Sequence, residues 1–525
     1  MPGYIRFPAA TVILSIVLSA AAAVAETPTQ MLNEYSELVI SGNYESARGF
    51  WTDESQRRAY RFGIEYTGIP LKVDCTSPLV RYTGAPSDFT RRFIGGETKL
   101  ATGEYSRFPY EVEVGGTTLS HYYYTYHQGD YYWLMYPQDY FSQGWRDMAT
   151  RFFEIRYHPD DKPRLNPVVL AQADRFIERT AKALGLTDKD LKLLENEKIH
   201  YFYCPGDNIV REITGHDIKG TYDLASDDII SAFFPHYHEL VHFLLNFRLR
   251  RLDMYTQPLM REGLAVCYGG RWGKSPTAIL ALGGYIYREG IVSLDSIMTM
   301  QGFEQSAGAD LSYPLSGLFA AFLLEKAGTE ATLRLYRSLS GDFESLAAMT
   351  IPQVEDTVAA ALDEPWEDVR ADFDKFVDRW LADRSDLYPG VLDGGKELLR
   401  TDKLLVAEKD GWISVTASAD SGATPQGNIL FGRDSALINT PSVLYELQYQ
   451  GKNTHPGYRY GIRFDKNEVG VYDYATNHLL SKYIWGIAPS KDYYSAESNT
   501  VRFRFPKDVA GGALPTENAS KILSQ

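Results

Sequence analysis

Cysteine is nearly missing from this chain: Cys75, Cys204 and Cys267 are the three present. They are too few for a disulfide framework and leave at least one thiol unpaired, so stability must come mostly from packing. Positive charge is also scarce. The formal net charge is −15 and no long Lys/Arg block occurs, which argues against nucleic acid as the main partner, because phosphates are bound through basic surface. No loop has the regular acidic spacing of a calcium cage. Long apolar runs are confined to the start, where Arg6 precedes an apolar stretch from Ala9 and "AVA" at Ala23-Val24-Ala25 offers a cleavage site before Glu26. That pattern reads as a cleaved secretory signal over 1–25. The leader contains no cysteine, so no lipid anchor is expected. No later segment suits a membrane span, and the mature chain is expected to be secreted or periplasmic.

What remains is long and rich in aromatics. A chain of 525 residues exceeds what one hydrophobic core supports and predicts about three units. Tyrosine alone contributes 37 residues, which suits β-sheet and extended ligand-binding surfaces. After the leader, Thr27 to Trp51 reads as helix, turn, helix, and the runs Tyr110 to Val114, Thr117 to Tyr126 and Tyr131 to Pro137 read as an antiparallel meander. In pattern, residues 27–148 resemble the cone-shaped α+β fold of the nuclear transport factor two superfamily. A mixed α/β head with a helical tail follows over 149–388. It has strands at Arg151 to Pro159 and Lys198 to Cys204, a helix at Val168 to Leu186, and helices continuing to Ser385. From Trp412 the pattern changes to seven short alternating runs, "WISVTAS" to "VRFRF", which predict a β-sandwich over 411–510. Tyr388 to Asp410 reads as the linker. The overall expectation is a multidomain α+β protein.

One stretch carries chemistry. In "HYHELVH" (His236 to His242), His238 and His242 stand four apart, so both imidazoles leave one helix face and can take two corners of a tetrahedral metal site. Glu239, about 100° round the helix, can lean toward a water at such a site without ligating; this is the general-base position of a hydrolase. Zinc lowers the pKa of such a water from about 15.7 to about 7. His236 points away from the metal face. The pattern needs a third ligand, and the extended form with a third histidine is excluded, since Leu245 and Arg248 stand where Gly and His belong. Glu262, twenty positions past His242 in "LMREGLAVCYGG", is an acid in an apolar helix-like stretch. It needs a partner there, and bound zinc provides one.

"HELVH" with "REGLA" at this distance resembles the gluzincin metallopeptidases, which include thermolysin and the zinc aminopeptidases. The resemblance spans roughly Arg151 to Ser385. It implies zinc held by His238, His242 and Glu262, Glu239 as base, and a peptide or protein substrate. "SYPLSGLFAAFLLEKAG" is similar to a helix start seen in these enzymes, which implies that Tyr313 hydrogen-bonds the oxyanion; a packed or capping tyrosine is the alternative. "GTYDLA" (Gly220 to Ala225) sits where gluzincins place the strand that pairs with substrate backbone, and an ordinary strand is its alternative. Val266 stands where thermolysin has the aspartate that orients a ligand histidine, leaving Asp253 and Asn246 as candidate outer partners. No motif for a substrate amino terminus precedes the zinc helix, and a Cys/His nucleophile has no positional support. Two functions from different classes follow: an exported zinc peptidase, or a non-catalytic cell-envelope binding or assembly protein that keeps a structural zinc. In either case the flanking domains offer surfaces for an unknown ligand.

Overall fold

In the computed structural model, the described residues are 27–82, 90–93, 98–99, 104–114, 116–272, 276–306, 308–382, 395–409, 412–419, 427–433, 458–464, 468–473, 478–484, 494–497, 499–506 and 522–524. The leader, the run 443–450 and residues 388–394 and 410 of the expected linker lie outside them; the rest of that linker is instead two paired strands, Lys396–Thr401 and Leu404–Lys409. The protein is a mixed α/β chain with many helices and several small sheets. No helix among the described residues is long and apolar enough to cross a membrane. Two compact units divide the chain: residues up to Arg57 with Val73–Tyr140, and Arg58–Lys72 with Phe141 onward.

The first unit sets helix α1 (Pro28–Ile40) with an antiparallel sheet of β1 (Thr90–Phe93), β2 (Tyr105–Val114), β3 (Thr117–Gln128) and β4 (Tyr131–Met135), in that order, plus a short strand at Thr98–Lys99. Thr27 caps α1 by accepting from the Gln30 amide, and Pro28 follows at the position where a missing N–H costs nothing. Met31, Leu32, Tyr35 and Val39 make one buried stripe at helical spacing. On β2 the buried residues Phe108, Tyr110 and Val112 alternate, as a half-buried strand requires. The unit's core encloses a carboxyl group: Asp74 accepts from the Tyr35 and Tyr123 hydroxyls at 2.7 and 2.8 Å.

Burial pushes Asp74 up to about 7, more than its hydroxyl donors pull it down. The folded unit therefore binds a proton that the unfolded chain, with an ordinary value of 3.8, has already released. The stability this proton confers is complete below 3.8 and is lost as pH rises to about 7. The expected size is on the order of 4 kcal/mol. Urea unfolding of wild type and Asp74→Asn across that window checks it: their stability difference must change with pH in this direction, and a constant difference refutes the titration.

The second unit is built on a five-stranded sheet in the order β8-β9-β7-β6-β5. Its strands are β5 (Arg146–Ala149), β6 (Phe153–Tyr157), β7 (Ile199–Tyr203), β8 (Gly220–Tyr222) and β9 (Ile229–Ser231). The central pairs are parallel, while both outer strands run antiparallel to their neighbours. All five residues of β7 are buried, as expected of a central strand. The unit's longest helices are α2 (Pro167–Ala183), α3 (Tyr237–Leu249), α4 (Pro258–Gly269), α5 (Pro276–Arg288), α6 (Ala309–Ser338), α7 (Ile351–Leu362) and α8 (Trp366–Ala382). Helix α6 is broken at Gly328, where φ is +77°. Beyond α8, two further five-stranded sheets, antiparallel throughout, hold the strands from Lys396 onward.

The stretch Gly220 to Ser231 is two strands, with a turn between them pinned by charge. Asp227 sits at φ +60° with its carboxylate on Lys72 Nζ (2.5 Å) and the Tyr222 hydroxyl (2.6 Å). Asp228 pairs with Arg61 at 3.1 Å and Arg58 at 3.4 Å. Both aspartates are fully buried. An isolated charge there would be untenable, so the cations of Arg58–Lys72 are what permit the turn.

Candidate metal centre

Helix α3 is buried on nearly every side: His238, Leu240, Val241, Phe243, Leu244, Leu245, Phe247 and Leu249 are all in the core. A helix apolar all round belongs at the centre of its unit, and its polar residues then need specific partners. Helix α4 starts with Pro258 and stops at Gly270, which has φ +72°. Two glycines set how closely α4 approaches its neighbours. A Cβ on Gly269 would lie 2.7 Å from the Tyr237 carbonyl oxygen and 2.9 Å from His238 Cα, and one on Gly263 would lie 2.6 Å from the Ser316 carbonyl oxygen on α6. Those absent side chains let α3, α4 and α6 converge.

The convergence brings His238, His242 and Glu262 together, their ligating atoms all within 4.8 Å of one another. The separations are 3.0 Å from His238 Nε2 to Glu262 Oε2, 3.4 Å from His242 Nε2 to the same oxygen, and 3.2 Å between the two Nε2 atoms. Bonds of 2.0–2.1 Å to zinc imply a tetrahedron edge of about 3.3 Å. The three separations bracket that value. The orientation agrees: His238 Nδ1 is 3.1 Å from the Gly270 carbonyl oxygen, an acceptor only, so a proton on Nδ1 is held there and Nε2 is the nitrogen left to face a cation. A lone pair, a second imidazole nitrogen and a carboxylate oxygen in mutual contact are what a cation resolves.

The surroundings favour the charged carboxylate. Burial raises the pKa of Glu262, but the Arg261 guanidinium and the two imidazoles outweigh it and hold the carboxyl well below its usual range. Arg261 Nε donates to Glu262 Oε1 at 2.8 Å, which leaves Oε2 for the imidazole side. Asn246, an expected outer partner, is turned elsewhere: its Nδ2 donates to the Tyr66 hydroxyl at 3.3 Å. The oriented histidine is held by a backbone carbonyl instead, which no side-chain pattern encodes.

Glu239 is outside the three-residue group. Its Oε2 accepts from the Tyr222 amide on β8 at 3.0 Å, and burial raises its pKa against the lowering by His238. His236 caps α3 without ligating; its Nδ1 is 2.9 Å from Ser231 Oγ and its Nε2 is 3.9 Å from Glu239 Oε1. The close approach at Gly220 is therefore internal, since a Cβ there would meet His236 Nδ1 at 2.5 Å. Strand β8 is nevertheless the edge of its sheet. Tyr313, in the first turns of α6, has its ring centroid 6.0 Å from that of His238. Burial and then Glu262 push its hydroxyl up to about 12, so the phenol keeps its proton at neutral pH. Cys204 and Cys267 are free thiols, both raised by burial, the opposite of an activated nucleophile.

Sequence reasoning missed Arg261, Arg271 and the Tyr222 amide. Arg261 had a signal, being a cation beside the proposed ligand, but Arg271 had none, because its neighbour across space is Tyr313: the guanidinium Cζ lies 3.2 Å from that ring's centroid. In comparisons with known proteins, no family model, no curated protein and no solved structure matches this chain.

Proposed function

We propose that this chain is an exported, zinc-dependent peptidase of gluzincin type, its zincin-like core preceded in sequence by a cone-like α+β domain and followed by a β-sandwich. The observation that carries the reading is the trio His238, His242 and Glu262, whose contacts of 3.0–3.4 Å fit the edges of a tetrahedral zinc site. His238, His242 and Glu262 are the residues that would hold the metal. Bound zinc supplies Lewis acidity, polarising the substrate carbonyl and acidifying water. Glu239, braced by the Tyr222 amide, accepts the proton of the attacking water and returns it to the leaving amine. The protonated Tyr313 hydroxyl donates to the carbonyl oxygen as negative charge develops there. The outer edge of β8 offers backbone groups to an extended peptide.

The test is metal analysis of the purified mature chain, with cleavage of an unstructured protein measured before and after chelation. Wild type is expected to copurify with zinc and to lose activity to the chelator, with zinc restoring it. His242→Ala removes one of the three protein ligands, so its zinc affinity is expected to fall by more than the roughly 10–100-fold that disturbing an outer partner costs. Unchanged metal content in that variant overturns the site. Zinc bound at full occupancy without cleavage of any peptide favours the cell-envelope scaffold instead.

A further inference from the structure

The two arginines beside the candidate metal centre are employed differently. Arg261 is committed to Glu262. Arg271 directly follows Gly270, whose carbonyl orients His238. Its guanidinium lies over the Tyr313 ring, and its Nε is buried with no hydrogen-bond partner. The nearby carboxylates are otherwise engaged: Glu262 with Arg261 and the imidazoles, Glu239 with the Tyr222 amide. Neither comes within ion-pair distance of Arg271.

A buried donor left without an acceptor is costly, and few native groups are left so. Charge counting points the same way. On the zinc-peptidase reading, which this inference rests on, a divalent cation, Arg261 and Arg271 face two carboxylates, leaving surplus positive charge in a chain whose net charge is −15. The guanidinium fork matches a carboxylate with two parallel hydrogen bonds, and its other face is already stacked on an aromatic ring. We infer that Arg271 is a specificity-determining residue that pairs with a carboxylate on the substrate, close to the bond cleaved. The carboxylate has two sources, the C-terminal α-carboxylate of a short peptide or an acidic side chain.

The test uses the full chain carrying Glu239→Gln, so that bound peptide persists, and titration calorimetry with three otherwise identical short peptides. One has a free C-terminus and no acidic side chain, one is its C-terminal amide, and one is the amide with a single glutamate. At least one carboxylate peptide is expected to bind about ten- to a hundredfold more tightly than the neutral amide, the range for a hydrogen bond to a charged partner. The peptide that wins identifies the source. Adding Arg271→Met is expected to abolish the preference while leaving the neutral amide's affinity unchanged, and Arg271→Lys, which keeps the charge without the fork, to retain only part of it. Equal affinity for all three peptides overturns the inference, as does a preference that survives both substitutions or no binding of any peptide at millimolar concentration. Zinc content of the same samples separates the two readings. Bound zinc without a preference removes this inference alone; an Arg271-dependent preference without zinc removes the peptidase reading alone.

Discussion

Glu239→Gln is expected to lower the peptidase rate by a factor of about 10²–10⁴, the usual contribution of a positioned acid–base group, while zinc content stays unchanged. The separation of the two effects follows from geometry. Glu239 is not among the residues whose ligating atoms converge, and its hydrogen bond from the Tyr222 amide is one that a glutamine carbonyl can also accept. Glutamine is close in volume to glutamate and keeps that hydrogen bond, so the local structure has little reason to move. It cannot take a proton from water. The check is turnover of an unstructured protein substrate, with metal analysis and circular dichroism on the same preparation. Full activity in a zinc-loaded variant ends the assignment of Glu239 as the general base, whereas loss of zinc together with activity means that Glu239 is a ligand and the assignment of roles is wrong.

The second large effect is on stability. Lys72→Met strands Asp227, whose carboxylate then keeps the Tyr222 hydroxyl as its remaining strong partner in a fully buried site. Removing one member of a buried ion pair costs about 3–5 kcal/mol, because the other charge is left uncompensated. Burial already raises the pKa of Asp227 against the pull of Lys72. Without the lysine it protonates more readily, which places the cost toward the lower end of the range in mild acid and the upper end above neutrality. The urea midpoint of unfolding should therefore drop, and drop further as pH rises. Lys72→Met with Asp227→Asn removes the stranded charge and is expected to recover most of the loss. A single variant as stable as wild type shows that the pair contributes nothing. The consequence reaches the candidate site, because the turn that Asp227 closes carries Tyr222, whose amide braces Glu239.

Some of this was open to reading from the letters. His238 and His242 share a face because any helix puts residues four apart on one side, and "HYHELVHFLLNFRL" has too many apolar residues to be anything but a buried helix. Glu262 was conspicuous as an acid among Leu259, Met260, Leu264 and Val266. The strand Phe153–Tyr157 alternates apolar and polar residues with the period of a strand, and Ile199–Tyr203 is a short, mostly aromatic run. These inferences are local, and local periodicity is set by backbone geometry alone.

Other features were not open to such reading. Nothing in "GNYESARGFWTDESQRRAYR" or "LKVDC" announces that Arg58, Arg61 and Lys72 are the counter-ions of Asp227 and Asp228, at least 155 positions further along the chain. Asn246 offered itself as a partner for a ligand histidine, yet the backbone of Gly270 took that place, and a carbonyl looks the same at every position of a sequence. Arg271 became notable only when α4 and α6 met, at a distance that Gly263 permits, and left its guanidinium on Tyr313 without an anion. By itself, then, the sequence determined which residues can ligate, which helix face they occupy and which strands are apolar enough to be buried. Tertiary structure alone decided which charges meet, which carbonyl orients the imidazole and which arginine is set on Tyr313 with no ion pair among the described residues, because those contacts depend on where distant segments pack rather than on the period of any one of them.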